Sequence, residues 1–281
     1  MFLHKGLLTL TAMSCMALAG GCGNCCGPRE TLETIVFVNK YVGDIDKLEI
    51  NEPSGICLHR GRGTLFLVGD EGYVCEVELD GSPVKEKVIA EGEDFEGVTF
   101  DPATGLLYVV IEEKELVLEV DPGTFEILRE FQVPREFEGK TLLDAEGEGI
   151  EGITFVPDSK HPEGGFFYVA NQSYNLSNEQ DISAIFSLEL PLRSKTSEPR
   201  ITGYFEPGII DLAGLHYDPE TGHVLVVADS PNILLEYSAQ HELLNVYAFP
   251  GDNQEGIAVD SEGYIYIAQD SGGILKLEWL R

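Results

Sequence analysis

The chain has 281 residues, 43% of them hydrophobic, and 49 acidic against 18 basic residues give it a formal charge of −31. That apolar fraction belongs to a folded protein, so the acidity does not signal disorder. The charge excludes the basic footprint that nucleic acid requires and works against docking of the body on anionic lipid; what it leaves is a soluble, self-repelling surface whose excess acid could in part serve divalent cations.

Residues 1–21 read as an export leader. Lys5 is a short positive region, Gly6 to Ala19 is apolar, and Ala19-Gly20-Gly21 are small. About fourteen apolar residues are too few to span a bilayer but suit the core of a signal peptide. The run Ala19-Gly20-Gly21-Cys22 resembles a bacterial lipobox, which implies that Cys22 is the lipidated first residue of the mature chain. Leu18 lies one place further from the cysteine than that pattern prefers, and a plain cleaved leader is the alternative. Residues 22–32 form a tether holding Cys25 and Cys26 near Gly and Pro. The expected location is the bacterial cell envelope, with membrane contact through the lipid anchor only.

The globular region is expected over residues 33–281. Glu33 to Val42 has strand composition but no block of its own. Five blocks follow, each opened by a similar phrase: Pro53-Ser54-Gly55-Ile56-Cys57, Phe95-Glu96-Gly97-Val98-Thr99, Ile150-Glu151-Gly152-Ile153-Thr154, Leu212-Ala213-Gly214-Leu215-His216 and Gln254-Glu255-Gly256-Ile257-Ala258. Self-similarity at this period signals stacked or radial repeats. Block two is the clearest. A short strand from Glu96 meets the turn Asp101-Pro102-Ala103-Thr104-Gly105, in which Asp accepts local amides, Pro presets φ and Gly supplies positive φ. The apolar run Leu106–Ile111, an alternating Leu116–Val120 and Ile127–Val133 complete it.

Blocks one, three and four each hold four such strands, whereas block five ends after three. The unassigned N-terminal strand can supply its fourth, leaving no large open sheet edge. The predicted fold is therefore all-β, a five-bladed β-propeller of four-stranded antiparallel blades closed by the N-terminal strand. Insertions at Arg135–Gly149, Gln172–Asp181 and Arg193–Pro199 map to loops, where recognition commonly resides. Cys57 and Cys75 fall on the first and third strands of one block, roughly 10 Å apart, too far for a disulfide; they read as buried thiols.

First strands of propeller blades line a central channel. The recurring position then places Ser54, Glu96, Glu151, Ala213 and Glu255 around one axis. Three carboxylates sharing a narrow channel must be protonated, solvated or bridged by a cation. Calcium fits such an all-oxygen set best, with Ser54 offering a hydroxyl or carbonyl and Ala213 only a carbonyl. The absence of His and Cys from these positions disfavours zinc and copper. The alternative is that the glutamates merely cap channel-facing strands and accept neighbouring amides. A second set, Asp70, Glu112, Asn171, Asp229 and Asp270, lies just past each second strand, and Asp94, Asp211 and Asp252 precede three of the phrases. These read either as turn residues or as a rim for a further cation or polar ligand. His216 could face the channel or serve the strand. No nucleophile elbow, P-loop, HExxH or dinucleotide glycine set occurs, and no catalytic residue can be assigned.

The series S-G, E-G, E-G, A-G, E-G, each followed by an apolar strand, together with D-P-x-T-G turns, resembles the SdiA-regulated proteins over about residues 33–281. That resemblance implies an exported bacterial propeller at the envelope; Ala213 departs from the serine the pattern prefers. The same five positions are similar to calcium-activated apyrase-type nucleotidases, with Ser54, Glu96, Glu151 and Glu255 matching, and more distantly to phytase-like esterase propellers. The reading favoured by the sequence is a calcium-centred binding or scaffold module whose partner is an envelope ligand or protein. The alternative is a calcium-dependent hydrolase of phosphate esters or a lactone, with Asp70 or Asp229 as base.

Overall fold

The computed structural model describes residues 34–280 apart from 113, 146, 196–197, 249–250 and 252. The leader, the tether with Cys22, and Asp252 lie outside the described residues. Five four-stranded antiparallel assemblies follow in chain order. Blade 1 is Pro53–His59, Thr64–Gly69, Tyr73–Val77 and Pro83–Val88. Blade 2 is Phe95–Phe100, Leu107–Ile111, Leu116–Val120 and Ile127–Gln132. Blade 3 is Gly149–Pro157, Gly165–Gln172, Ala184–Glu189 and Arg200–Phe205, and blade 4 is Leu212–Asp218, His223–Ala228, Ile233–Tyr237 and Leu243–Ala248. Blade 5 has Gln254–Val259, Tyr264–Gln269 and Ile274–Trp279, with Asn39–Asp44 as its outer strand.

Closure thus comes from the N-terminal strand, paired antiparallel with Asn39 opposite Trp279 and Asp44 opposite Leu275. One detail differs from the sequence reading. Ile35–Val36 do not join blade 5 but pair parallel with Tyr247 and Ala248 of blade 4. The cause is Phe37, buried at the seam with its ring 5.9 Å from Tyr247 and 5.4 Å from Trp279. The chain therefore crosses from one blade's edge to the next.

The continuous apolar second strands are buried on both faces, as a strand between two packed sheets must be. Neighbouring blades share one core each. Blades 1 and 2 meet over Phe66, Phe95 and Phe125; blades 2 and 3 over Tyr108, Phe155 and Phe167. Blades 3 and 4 meet over Tyr168 and Leu235, blades 4 and 5 over Val227 and Ile267, and blades 5 and 1 over Tyr266 and Leu67. Alternation makes this possible, because successive residues of a strand face opposite neighbours.

Side-chain latches join the blades as well. Thr99 Oγ1 accepts the Phe155 amide at 3.1 Å, and Thr154 Oγ1 accepts that of Tyr217 at 2.9 Å. Arg129 binds buried Glu119 and donates to the carbonyls of Pro191 and Leu192 at 2.8 and 2.9 Å, tying blade 2 to blade 3. The turn chemistry is as the sequence reads: Asp101 Oδ1 accepts the Ala103 amide at 2.8 Å, and Gly105 has φ +76°. Cys57 and Cys75 are free, buried thiols. The first insertion carries a small hairpin, Glu136–Phe137 with Lys140–Thr141, and buries Leu142 and Leu143 in the core between blades 2 and 3.

Candidate cation site in the axial channel

Every inner strand breaks register at its phrase. The irregularities fall between Pro53 and Gly55, Phe95 and Val98, Ile150 and Gly152, Leu212 and Leu215, and Gln254 and Ile257. A bulge bends a strand and re-aims a side chain. Here it recurs five times at the position that the repeat supplies with Ser, Glu, Glu, Ala and Glu.

The glycine of each phrase permits the blades to meet. A Cβ at Gly55 would lie 2.4 Å from the Glu96 carbonyl oxygen, at Gly97 2.6 Å from that of Glu151, and at Gly152 2.2 Å from that of Ala213. The series closes with Gly214 at 2.1 Å from the Glu255 oxygen and Gly256 at 2.8 Å from that of Ser54. Each inner backbone is thus pressed on the next, and no side chain larger than hydrogen fits between. Ser54, Glu96, Glu151, Ala213 and Glu255 together line one axial cavity of about 10 Å³. That is room for about one water or one ion.

Ser54 and Ala213 are fully buried, and Ser54 Oγ donates to the Glu52 carbonyl at 3.3 Å. The carboxyls sit in two lobes. In the first, Asp70 hydrogen-bonds Asp94, Asp94 bonds Glu96, Glu96 bonds Glu151, and Glu151 bonds Glu112. Two carboxylates cannot share a hydrogen bond without a proton between them. Burial, then the charges of Asp94 and of other acids, pushes Glu96 well above the ordinary carboxylate range; burial, then Glu96 and Glu112, does the same to Glu151. Burial and Asp94 lift Asp70 to about 6. Carboxyl oxygens of Asp70, Asp94 and Glu96 lie within 4.8 Å of one another. In the second lobe, burial followed by Asp229, Asp211 and Asp270 lifts Glu255 to about 8.

These residues suit a hard cation. The donors are all oxygen, and no His or Cys lines the cavity among the described residues. Glu255 Oε2 and Asp94 Oδ1 are buried without a hydrogen-bond partner. A buried acceptor left unpaired is costly, and a cation in the axial cavity would satisfy that of Glu255, which lines it.

Four of the second set of acids gather at this mouth: Asp70 and Glu112 with the first lobe, Asp229 and Asp270 with Glu255. Asn171 does not. Its amide donates to Asp181 Oδ1 at 3.0 Å and to the Ile182 carbonyl at 2.9 Å, so it pins the neighbouring loop. Asp211 is buried and accepts Gln172 Nε2 at 2.7 Å and the Ser230 amide at 2.8 Å. Tyr174, which sequence reasoning passed over, hydrogen-bonds Asp211 from the 172–181 loop and feels the charges of Glu148 and Glu151. An aromatic residue beside an asparagine-rich loop was its only signal. His216 is not among the residues that line the acidic cavity; it lines a second cavity further along the axis.

Fold and site define an all-β, five-bladed propeller with an acidic axial channel. The chain belongs to the SdiA-regulated family, which matches over residues 36–272. No curated protein matches it. Among solved structures it is similar to glutaminyl cyclase of Myxococcus xanthus, with a TM-score of 0.63 at 14% identity over 87% of this chain and 97% of that one. A protein of unknown function from Bacteroides caccae aligns at a TM-score of 0.43 and 16% identity over 73% and 64% of the two chains. At 14% identity the likeness to the cyclase is one of fold alone.

Proposed function

We propose that this propeller is an exported binding module of the bacterial cell envelope, held by a lipid on Cys22 and centred on a calcium ion in the axial channel. The single observation that carries the reading is the carboxyl chain from Asp70 through Asp94 and Glu96 to Glu151 and Glu112, beside the unpaired oxygen of Glu255. Glu96, Glu151 and Glu255 would hold the ion, with Ser54 and the Ala213 backbone beside them. Bound calcium supplies positive charge that lets these acids ionise together at neutral pH. The rest of the acidic mouth, Asp70, Asp229, Asp270 and Tyr174, remains to contact a polar ligand. The leader composition and the small-residue run before Cys22 support export and anchoring. No helix among the described residues is long and apolar enough to cross a membrane.

Metal analysis of the purified protein, with melting in calcium and in chelator, tests this reading. Stoichiometric calcium and a higher melting temperature with it are expected; identical melting in both would refute the calcium centre.

One observation favours a second reading, a calcium-dependent hydrolase of phosphate esters. Asp70 is lifted to about 6, close to neutrality, as a general base requires, and stands beside Asp94 and Glu96. Turnover of nitrophenyl phosphate or nucleotides with calcium, lost in Glu151→Gln while the fold survives, would select it. Calcium-dependent melting without turnover selects the module.

A further inference from the structure

The axis carries a second cavity whose chemistry is opposite to the first. It has a volume of about 190 Å³ and opens where the first hairpins of the blades turn, with Pro102, Pro157 and Pro219 at its rim. Ile56, Val98, Leu215 and Ile257 line both cavities and form the septum between them. Phe100, Phe155 and Tyr217 form part of the wall. A solvent-open apolar cup is a candidate binding place. An apolar cavity of about 150 Å³ already accommodates a benzene ring. The body of the occupant is therefore the size of one ring with a short substituent.

The polar end is set by Arg60, which lines the cup from the first hairpin of blade 1 and is exposed at its mouth. Among the described residues, the other arginines (Arg62, Arg129, Arg135, Arg193 and Arg200) each pair with a carboxylate. Arg60 pairs with no carboxylate among the described residues. Among the described residues, no Asp or Glu lines the cup. The three aspartates of the rim turns are engaged within their own turns, Asp158 by the Lys160 amide at 2.8 Å. Asp101 accepts its own turn's amide and pairs with Arg193 at 3.0 Å, and Asp218 accepts the Glu220 amide at 2.9 Å. An apolar cup with one unopposed guanidinium at its mouth suits an amphipathic anion: the ring against the septum, the carboxylate on Arg60.

The geometry points to a second ligand site at this end of the channel, one that takes a small organic carboxylate with a ring-sized apolar body. The septum separates it from the acidic mouth, so it does not depend on the cation reading.

Calorimetric titration of the full chain with phenylacetate, its neutral isostere phenylacetamide, and acetate tests the assignment, in calcium and in chelator alike. Phenylacetate should bind saturably and about tenfold more tightly than phenylacetamide, with no heat from acetate. In Arg60→Gln, an exposed change that leaves melting unaltered, the two ring compounds should bind equally. Methyl resonances of Leu215 and Ile257 should shift on titration. Absence of saturable binding by phenylacetate, or a preference for the anion that survives in Arg60→Gln, would overturn the proposal.

Discussion

Replacing Glu255 by glutamine should have opposite effects on stability with and without calcium. Burial, then Asp229, Asp211 and Asp270, raise this carboxyl from its ordinary 4.5 to about 8. An acid whose folded value lies above its unfolded value holds its proton more tightly when folded. Its ionisation therefore costs stability, beginning above the unfolded value and growing until pH passes the folded one. At pH 7 the cost in the metal-free protein is about 3 kcal/mol. Glutamine keeps the shape and carries no charge, so Glu255→Gln should raise the melting temperature in chelator by roughly 6–12 °C at that pH. The gain should shrink towards zero as pH falls to the ordinary carboxylate range. In excess calcium the order should reverse, because the wild-type protein gains a bound ion and the variant has lost a ligand. Circular dichroism melts from pH 4.5 to 8, with and without calcium, read both arms. A variant that melts no higher than wild type in chelator at pH 7, or a gain that persists unchanged at low pH, would refute the electrostatic account of the channel.

Gly214→Ala should destabilise by at least about 2 kcal/mol in urea titration, because its Cβ would stand 2.1 Å from a backbone oxygen of the next blade; Gly203→Ala, with open space around it, should be near neutral. Arg129→Ala should cost about 3–5 kcal/mol, since it strands buried Glu119 and frees two carbonyls of blade 3. Burial pushes Glu236 up, but His223, Asn245 and Tyr247 together hold it below its ordinary 4.5. A depressed acid stabilises above its unfolded value and loses that contribution as pH falls through the folded one. Glu236→Gln should therefore cost about 1–2 kcal/mol at pH 7 and progressively less below pH 4.5 in equilibrium unfolding.

The ring was legible because its determinants are local and repeated. A short phrase with an obligatory glycine, an apolar second strand and a D-P-x-T-G turn recur in a fixed order, and a block one strand short names its own missing partner. The convergence of Glu96, Glu151 and Glu255 followed from that periodicity. What depends on contacts across blades was not legible. Thr99 and Thr154 look like ordinary strand residues until the next blade's amide is beside them. Asn171 occupies the same repeat position as Asp70 and Asp229, yet loop 172–181 claims its amide. The compact trio Asp70, Asp94 and Glu96 is drawn from three different repeat positions, two of which had no unambiguous reading. The apolar cup arises from side chains of five strands and three turns, none distinctive alone, and only the lack of a carboxylate partner among the described residues singles out Arg60.

Closure by Asn39–Asp44 against Ile274–Trp279 has a consequence for assembly. The first strand of the folded body is made long before its partner exists, and the two are separated by more than two hundred residues of chain. A nascent polypeptide can build blades 1 to 4 as they emerge, but blade 5 stays incomplete until Ile274–Trp279 has been made. Contacts of such sequence separation form slowly, so completion is a late event and the waiting strand is an exposed edge until then. A stall before Ile274 would leave four finished blades with an open edge where blade 5 should seal.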